Sequence, residues 1–252
     1  MRRDDFQTLE EFADFILRLE RDYAAKIFYA LYKNAGNIQS WYNEPNKNPE
    51  AWANKMVKSP KEQSEAWDQV GEIVFSGILY REFLDWFPVG LPIGSEVRME
   101  SQDAVVHIDV KTHKEGDSDL DRTQDVRPEQ ISTDEQHNFV SDREGRLGDC
   151  PPRLPPYYEL GPNLLKVTFT GFIICAYRFD QQARRQYLSR FQLVTVPNGI
   201  LRAQRDYRDI FQAGKDGRQG HRYRVDLPAL AKHEAWRWRE IKYEEFGFLV
   251  TR

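Results

Sequence analysis

The stretch Ala104-Val-Val-His-Ile-Asp-Val-Lys111 decides the fold. Its β-branched residues predict a strand that ends in Asp109 and Lys111. Residues two apart in a strand face the same side, so this carboxylate and this ammonium share one face while the residue between them points away. The turn-forming run Ser101-Gln102-Asp103 precedes the strand and predicts a hairpin whose other arm is Glu96–Glu100. Together the two arms predict a polar site on one face of a β-sheet.

The polar side of this hairpin has the groups that metal-dependent cleavage of a phosphodiester requires. Glu96 and Asp109 supply carboxylate oxygens and Val110 a carbonyl oxygen, which are the donors that Mg²⁺ prefers while it keeps several waters. Such a cation acidifies a bound water, and Lys111 is suited to orient that water and to stabilise the developing negative charge. We therefore take Glu96, Asp109 and Lys111 as candidate catalytic residues, with Glu96, Asp109 and Val110 as candidate metal ligands.

Two alternatives stay open on these residues. An Asp-x-Lys triplet is common, and Asp109 with Lys111 could form a solvated polar face on an edge strand. The first acid also has three rivals, which are Glu100 on the same face as Glu96, Asp103 in the turn, and Asp85 after a predicted helix. Turn formation explains Asp103 and a helix end explains Asp85, so Glu96 is favoured.

The rest of the chain predicts an α/β fold, with a mixed central β-sheet flanked by helices. Apolar residues recur at helical spacing over 8–34 and 64–86, and Thr8 with Glu11 forms a capping-box pattern. Residues 114–154 are polar, which predicts a long functional loop with one short helix at most. Strands are predicted over 164–179, 188–196, 221–225, 238–243 and 246–250, and short helices over 201–211 and 228–233. We expect a single domain over 1–252, with a mainly helical part at 1–90, a catalytic core at 91–180, and recognition and C-terminal strands at 181–252.

A basic, glycine-rich segment in the C-terminal part is the candidate for DNA recognition. Arg222 and Arg224 alternate on a predicted strand, so they share a face. Arginine and lysine suit guanine O6 and N7 in the major groove, and aspartate can accept from cytosine N4. Glycines would let the loop approach a groove closely. The candidate DNA-binding residues are Lys215, Asp216, Arg218, Arg222 and Arg224. A flexible, solvated basic hairpin is the alternative, and Arg202 and Arg205 are expected to be phosphate contacts or surface charge.

Composition excludes several classes of protein. Two cysteines, Cys150 and Cys175, form no CxxC pair or Cys/His cluster, so neither structural zinc nor a disulfide scaffold is expected, as in a reducing cytoplasm. No apolar run reaches ~18 residues and the N-terminus lacks an apolar signal segment, so we expect a cytoplasmic protein with no membrane span. The net charge of −4 does not exclude nucleic acid, because arginines concentrate between Arg178 and Arg224.

Taken together, the hairpin and the basic segment resemble type II restriction endonucleases of the PD-(D/E)xK superfamily. The core of the resemblance is Glu96 followed by Asp109-Val-Lys111. Phe211-Gln-Ala-Gly-Lys215, His221-Arg-Tyr-Arg-Val225 and Trp236–Tyr243 are similar to the subgroup that cuts interrupted palindromes with GC-rich half-sites. One departure is that the family's first acid is usually Asp, often after Pro, whereas the candidate here is a glutamate.

The resemblance implies a restriction-endonuclease-like core and sequence-specific hydrolysis of double-stranded DNA with Mg²⁺, giving 5′-phosphate and 3′-hydroxyl ends. It also implies a homodimer, with a tetramer as a further option, and a partner methyltransferase. Two alternatives remain, which are another nuclease on the same core that repairs DNA or resolves junctions, and a non-enzymatic DNA-binding protein in which Asp109 and Lys111 are surface charge.

Overall fold

A computed structural model of the chain describes residues 5–47, 60–90, 95–117, 119–132, 153–161, 164–180, 185–205, 207, 209–213, 223–244 and 247–251, with the backbone alone at 60–68, 212–213 and 247–251. Its helices are α1 Leu9–Lys33, α2 Ala35–Asn43, α3 Pro60–Glu82, α4 Gly199–Gln204 and α5 Leu227–His233. Its strands are β1 Phe87–Pro88, β2 Val97–Glu100, β3 Ala104–Lys114, β4 Thr123–Val126, β5 Tyr157–Gly161, β6 Leu164–Asp180, β7 Arg185–Val196, β8 Phe211–Ala213, β9 Tyr223–Asp226, β10 Trp238–Glu244 and β11 Gly247–Thr251.

The first predicted helix is confirmed as α1. Thr8 Oγ1 accepts a hydrogen bond from Glu11 N at 3.1 Å, so the helix begins where the capping pattern placed its start. The helix ends at Lys33, in agreement with the predicted range 8–34, but a second helix that was not predicted follows directly. Asn34 changes the chain direction through its hydrogen bonds to the last turn of α1, and Ile38 N then donates to Asn34 O to start α2.

The main sheet has the order β1-β2-β3-β6-β7-β10-β11, with β5 also paired to β6. Strands β3 and β6 are parallel, and the other pairs are antiparallel. This confirms the predicted mixed sheet and the hairpin of β2 and β3. A second, three-stranded sheet has the order β4-β9-β8.

Residues 114–154 were predicted to be a loop, and this was wrong for the described part of the segment. Strand β4 lies within it, and a 3₁₀ turn follows at Pro128–Gln130. Strand β4 has only four residues, of which Val126 alone is a β-branched apolar residue on its buried face, so its pattern is too short to recognise. It is a strand because β9, distant in sequence, supplies its hydrogen-bonding partner.

Helices α1, α2 and α3 pack against one face of the main sheet. Tyr23 of α1 contacts Phe169 of β6 at 5.9 Å between ring centroids, and Phe75 of α3 contacts Phe191 of β7 at 5.2 Å. Cys175 is buried on this face, and Cys150 lies outside the described residues. On β3, the side chain of Thr112 faces α3. Asp109 and Lys111 alternate with Thr112 along this strand, so they face the opposite side of the sheet. In the described part of the chain, no helix is long and apolar enough to cross a membrane.

Candidate active site

The register of the β2–β3 hairpin places Glu96 next to β3, the strand that carries the candidate catalytic residues Asp109 and Lys111. Val97 lies opposite Ile108 in the antiparallel pair, so Glu96, one residue earlier, reaches the next position of β3. Its Oε2 accepts a hydrogen bond from Val110 N at 2.8 Å. The hairpin therefore fixes this carboxylate against the backbone beside Asp109.

Asp109 and Lys111 lie on the same face of β3 and form an ion pair through Asp109 Oδ2 and Lys111 Nζ. The residue Asp109 is only 2% exposed. The side chain of Lys111 is 28% exposed, whereas that of Asp109 is 3% exposed. The lysine side chain is therefore the more open to solvent of the two.

The electrostatics of Asp109 reflect a crowded pair of acids. The pKa of Asp109 is raised to about 8, chiefly by burial; Lys111 opposes this rise, whereas the charge of Glu96 and a hydrogen bond between the two carboxyl groups contribute to it. Desolvation and a neighbouring like charge both favour the neutral acid. Without a cation, the pair therefore retains a proton at neutral pH.

This pair fits a divalent cation, which would replace the retained proton. Two carboxylates and the Val110 carbonyl form a set of hard oxygen donors, and Mg²⁺ usually takes one or two carboxylates and fills its other positions with water and substrate phosphate. No third acidic, histidine or cysteine side chain completes a metal cluster within the described ranges. Among the residues that the structure describes, the donors that this site offers a cation are thus these two carboxylates and one carbonyl oxygen.

The structure separates Glu96 from the three rival acids. Glu100 accepts a hydrogen bond from Lys166 Nζ at 2.6 Å, and Asp103 accepts one from the hydroxyl of Tyr23. Asp85 is exposed in the turn that follows α3. Of the four acids, Glu96 is the one whose charge and hydrogen bond act on Asp109.

His107 also lies on this face and was not anticipated from the sequence. It is 1% exposed, its Nε2 lies 3.3 Å from the hydroxyl of Tyr158, and the two rings stack at 6.2 Å. Burial, and then the charge of Arg98, lower the pKa of His107 to about 4, so the imidazole is neutral at neutral pH. Its parity with Asp109 on the predicted strand was the signal that could have found it.

Of the five candidate DNA-binding residues, Arg224 alone lies within the described residues. It is on β9, directly opposite Asp125 of β4. Its Nε donates to Asp125 Oδ1 at 3.1 Å, and its Nη2 lies 3.6 Å from Asp119 Oδ2. Lys215, Asp216, Arg218 and Arg222 are outside the described residues.

Arg202 and Arg205, for which the same role was expected, have different environments in the structure. Arg202 was expected to be a phosphate contact or surface charge, and this was wrong. It is 4% exposed and donates to the backbone oxygens of Pro197, at 2.6 Å, and Ser132, because the chain around α4 leaves carbonyls that need a buried donor. Arg205 is partly exposed and pairs with Asp14 at 2.8 Å.

A second polar cluster, built on β7 and β10, was missed by sequence reasoning. Arg190 makes a two-point contact with Asp121, with both N–O distances at 2.8 Å, and also bonds Glu240 at 2.8 Å. Gln192 donates to the same two acids. The cluster ties the segment after β3 to the far side of the sheet, a pairing that local sequence does not reveal.

The chain is similar in sequence to one protein family and in structure to two solved restriction endonucleases. The family described as type II restriction enzyme MwoI, N-terminal domain, matches residues 14–181. The restriction endonuclease BglI, solved bound to its DNA recognition sequence, superposes with a TM-score of 0.74 at 23% identity, covering 94% of each chain. The tetrameric restriction endonuclease SfiI, solved with cognate DNA, superposes with a TM-score of 0.71 at 16% identity, covering 98% of this chain and 90% of that one.

A search of curated protein sequences finds no match to the chain. The structural likenesses establish the fold, which is that of restriction endonucleases, as the sequence predicted. The family match, over residues 14–181 of 252, spans more than half of the chain. The chain therefore belongs to the family of the type II restriction enzyme MwoI N-terminal domain, and it is a type II site-specific DNA endonuclease.

Proposed function

We propose that this endonuclease hydrolyses both strands of a specific duplex site with Mg²⁺, using Glu96, Asp109 and Lys111 as its catalytic residues and leaving 5′-phosphate and 3′-hydroxyl ends. In this proposal the whole chain acts as a single endonuclease domain in the cytoplasm. The observation that carries it is the interaction of the carboxyl group of Glu96, just before β2, with that of Asp109 on the buried strand β3, beside the ammonium of Lys111. Two carboxyl groups beside an ammonium suit the hydrolysis of a phosphodiester with a bound cation.

In the proposed mechanism, Glu96, Asp109 and the carbonyl of Val110 would hold the cation. When bound, a divalent cation acidifies a water molecule and stabilises negative charge on the scissile phosphate. Burial of Asp109 keeps competing water away from its carboxylate, and the bond from Val110 N holds Glu96 in place. The side chain of Lys111 is partly exposed, and its ammonium is suited to hydrogen-bond the attacking water and to stabilise the charge that develops on the phosphate oxygens.

Recognition is proposed to involve Arg224 together with Lys215, Asp216, Arg218 and Arg222. Arg224 supports this role because it lies on the open face of β9 and offers a planar donor group suited to guanine. A palindromic site presents two equivalent strands, so a homodimer with one active site per copy is the simplest symmetric arrangement. Sedimentation of the purified protein should give about twice the 29.7 kDa chain mass, and four times that mass would indicate a tetramer.

The direct test is cleavage of long duplex DNA by the wild-type protein, with Mg²⁺ and with EDTA. We expect discrete fragments with Mg²⁺ alone, and ends that can be ligated without prior phosphorylation. Asp109→Ala should lower the rate by at least about 100-fold, as the loss of a group that stabilises transition-state charge does. Glu115→Ala, which removes an exposed carboxylate just after β3, is the matched control and should cut normally.

The other outcomes separate the alternatives. A smear of fragments that depends on Asp109 would favour a nonspecific or structure-directed nuclease. Binding to DNA that is indifferent to Mg²⁺ and to Asp109→Ala, with no cleavage on DNA of varied sequence, would favour a non-enzymatic binding protein. Equal cleavage by Asp109→Ala and wild type would remove this site from the mechanism.

A further inference from the structure

The small sheet formed by β4, β9 and β8 has one buried face and one open face. Gln124 and Val126 on β4, and Tyr223 and Val225 on β9, are buried. This packing fixes the backbone from which Arg224 projects. Arg224 lies on the open face, directly opposite Asp125.

The guanidinium group of Arg224 has two edges that can donate hydrogen bonds, and one of them is bonded to Asp125. The side edge of a guanidinium consists of Nε–H and one N–H of Nη2, and the end edge consists of the remaining N–H groups of Nη1 and Nη2. Nε donates to Asp125 Oδ1 at 3.1 Å, and Asp119 Oδ2 lies 3.6 Å from Nη2. Asp125 therefore binds the side edge through Nε, which leaves Nη1 of the end edge as a donor that neither of these contacts uses.

The degree of exposure argues that this pair has a purpose other than stability. The side chains of Arg224 and Asp125 are 18% and 40% exposed, and that of Asp119 is 46% exposed. Because both carboxylates are exposed to water, these ion pairs contribute only modestly to folding. They do restrict a long side chain to one orientation, which matters where a partner must be met with two hydrogen bonds at once.

We propose that Asp125 is a positioning residue for base recognition. It holds the side edge of Arg224 so that the end edge can donate to O6 and N7 of a guanine in the target site. A guanidinium fork matches these two acceptors, which no other base presents in the major groove. This inference rests on the proposed function, in which Arg224 is a base-reading residue.

The test compares variants of the full-length enzyme on the cleavage site mapped for the wild type. Asp125→Ala, Asp125→Asn, Arg224→Ala and the double variant Asp125→Ala/Arg224→Ala are assayed for kcat/KM. The substrates are the mapped site, versions with each G·C pair replaced in turn, and versions with 7-deazaguanine, which lacks N7, at each guanine. Glu129→Ala removes a carboxylate of the turn after β4 and is the control for charge.

At one G·C pair, Asp125→Ala should reduce discrimination against the replaced pair by roughly 10- to 100-fold, within the range that a two-point guanine contact confers. Asp125→Asn should retain most of the discrimination, because its Oδ1 still accepts from Nε. The double variant should be no worse than Arg224→Ala, since Asp125 acts through Arg224. The 7-deazaguanine penalty at that position should fall in Asp125→Ala and disappear in Arg224→Ala, while Glu129→Ala behaves as wild type.

The inference and the proposed function fail in different ways. Unchanged discrimination in Asp125→Ala, beside lost discrimination in Arg224→Ala, would overturn the positioning role alone. Additive losses in the double variant would also overturn it, because the two residues would then act independently. A wild-type protein that cuts DNA at no specific site would overturn the proposed function and this inference with it.

Discussion

Asp109, on the buried strand β3, and Glu96, just before β2, are two acids held next to each other by the hairpin, which is an unfavourable arrangement in the absence of a cation. Burial and the neighbouring charge of Glu96 raise the pKa of Asp109 to about 8, while the ammonium of Lys111 opposes that rise only in part. The fold thus sustains a local cost at this residue. Enzyme sites commonly retain such groups because the chemistry needs them.

The pKa of Asp109 predicts a pH dependence of stability in metal-free protein. Since its folded pKa lies above the unfolded value near 3.8, the protonated acid favours folding at low pH, and stability falls as pH rises from about 4 to about 8. Asp109→Asn should therefore raise the free energy of unfolding at pH 7.5, by on the order of 1–3 kcal/mol. Denaturant unfolding in EDTA at pH 4.5 and 7.5 measures this, and a gain that is equal at both pH values would contradict it.

Glu96 and Glu100 provide a matched pair for identifying the first acid. Glu96→Gln should reduce cleavage by at least about 100-fold, because a carboxylate beside the reacting phosphate is lost. Glu100→Gln should leave cleavage within a few-fold of wild type, since Glu100 pairs with Lys166. Single-turnover cleavage of the mapped site measures both variants. The assignment of Glu96 would be wrong if Glu100→Gln were the inactive one.

At the scale of elements, α3 approaches the sheet closely at one glycine and not at another. A Cβ on Gly71 would lie 3.2 Å from Thr112 Oγ1 and 3.8 Å from Cys175 Sγ, whereas a Cβ on Gly77 would meet nothing within 4 Å. Thr112 follows Lys111 on β3, so this contact sets the distance between α3 and the strand that carries the site.

These two glycines predict opposite responses to alanine. Gly77→Ala should stabilise the protein by about 0.5–1 kcal/mol, because alanine restricts the unfolded chain and favours the helix. Gly71→Ala gains the same helix preference but must displace the side chain of Thr112, so it should be at least about 1 kcal/mol less stable than Gly77→Ala. Thermal unfolding of both variants decides, and equal gains would show that α3 can move away without cost.

The elements also show what could be read from the sequence. The β2–β3 hairpin was predictable because apolar alternation, a turn signal and the Asp109-x-Lys111 spacing all agree. Sequence parity could not distinguish Glu96 from Glu100, because both residues share a face. The structure separates them: the register of Val97 with Ile108 places Glu96 beside Asp109, where it accepts from Val110 N, whereas Glu100 accepts from Lys166. Strand β4 was missed because its partner β9 is distant in the chain. Arg202 was misjudged because burial of an arginine depends on tertiary carbonyl partners.

At the scale of the whole molecule, a buried ion pair joins the two ends of the chain. The side chains of Glu20, on α1, and Arg237, which follows α5, are both fully buried. Glu20 Oε2 lies 2.8 Å from Arg237 Nη2. Glu20 also accepts from Asn198 N at 2.8 Å, and Arg237 bonds Glu234 as well. Residues distant in sequence therefore depend on one another for a partner, which makes α1 part of the same cooperative unit as the C-terminal strands.

This dependence predicts strongly unequal effects of single and double substitutions. Glu20→Leu should leave the Arg237 charge less compensated in the interior, and Arg237→Met should do the same to Glu20, so each should lower the free energy of unfolding by about 3–5 kcal/mol. The double variant Glu20→Leu/Arg237→Met removes both charges and should recover much of that loss, although Asn198 N and Glu234 each still lose a partner. Denaturant unfolding of the wild type, the two single variants and the double variant completes a double-mutant cycle. As a control, Lys33→Met removes the exposed ion pair with Glu82 and should change the free energy of unfolding by less than about 1 kcal/mol. Losses that simply add in the double variant would show that the pair is not coupled, and that α1 is held to the C-terminal part by apolar packing alone.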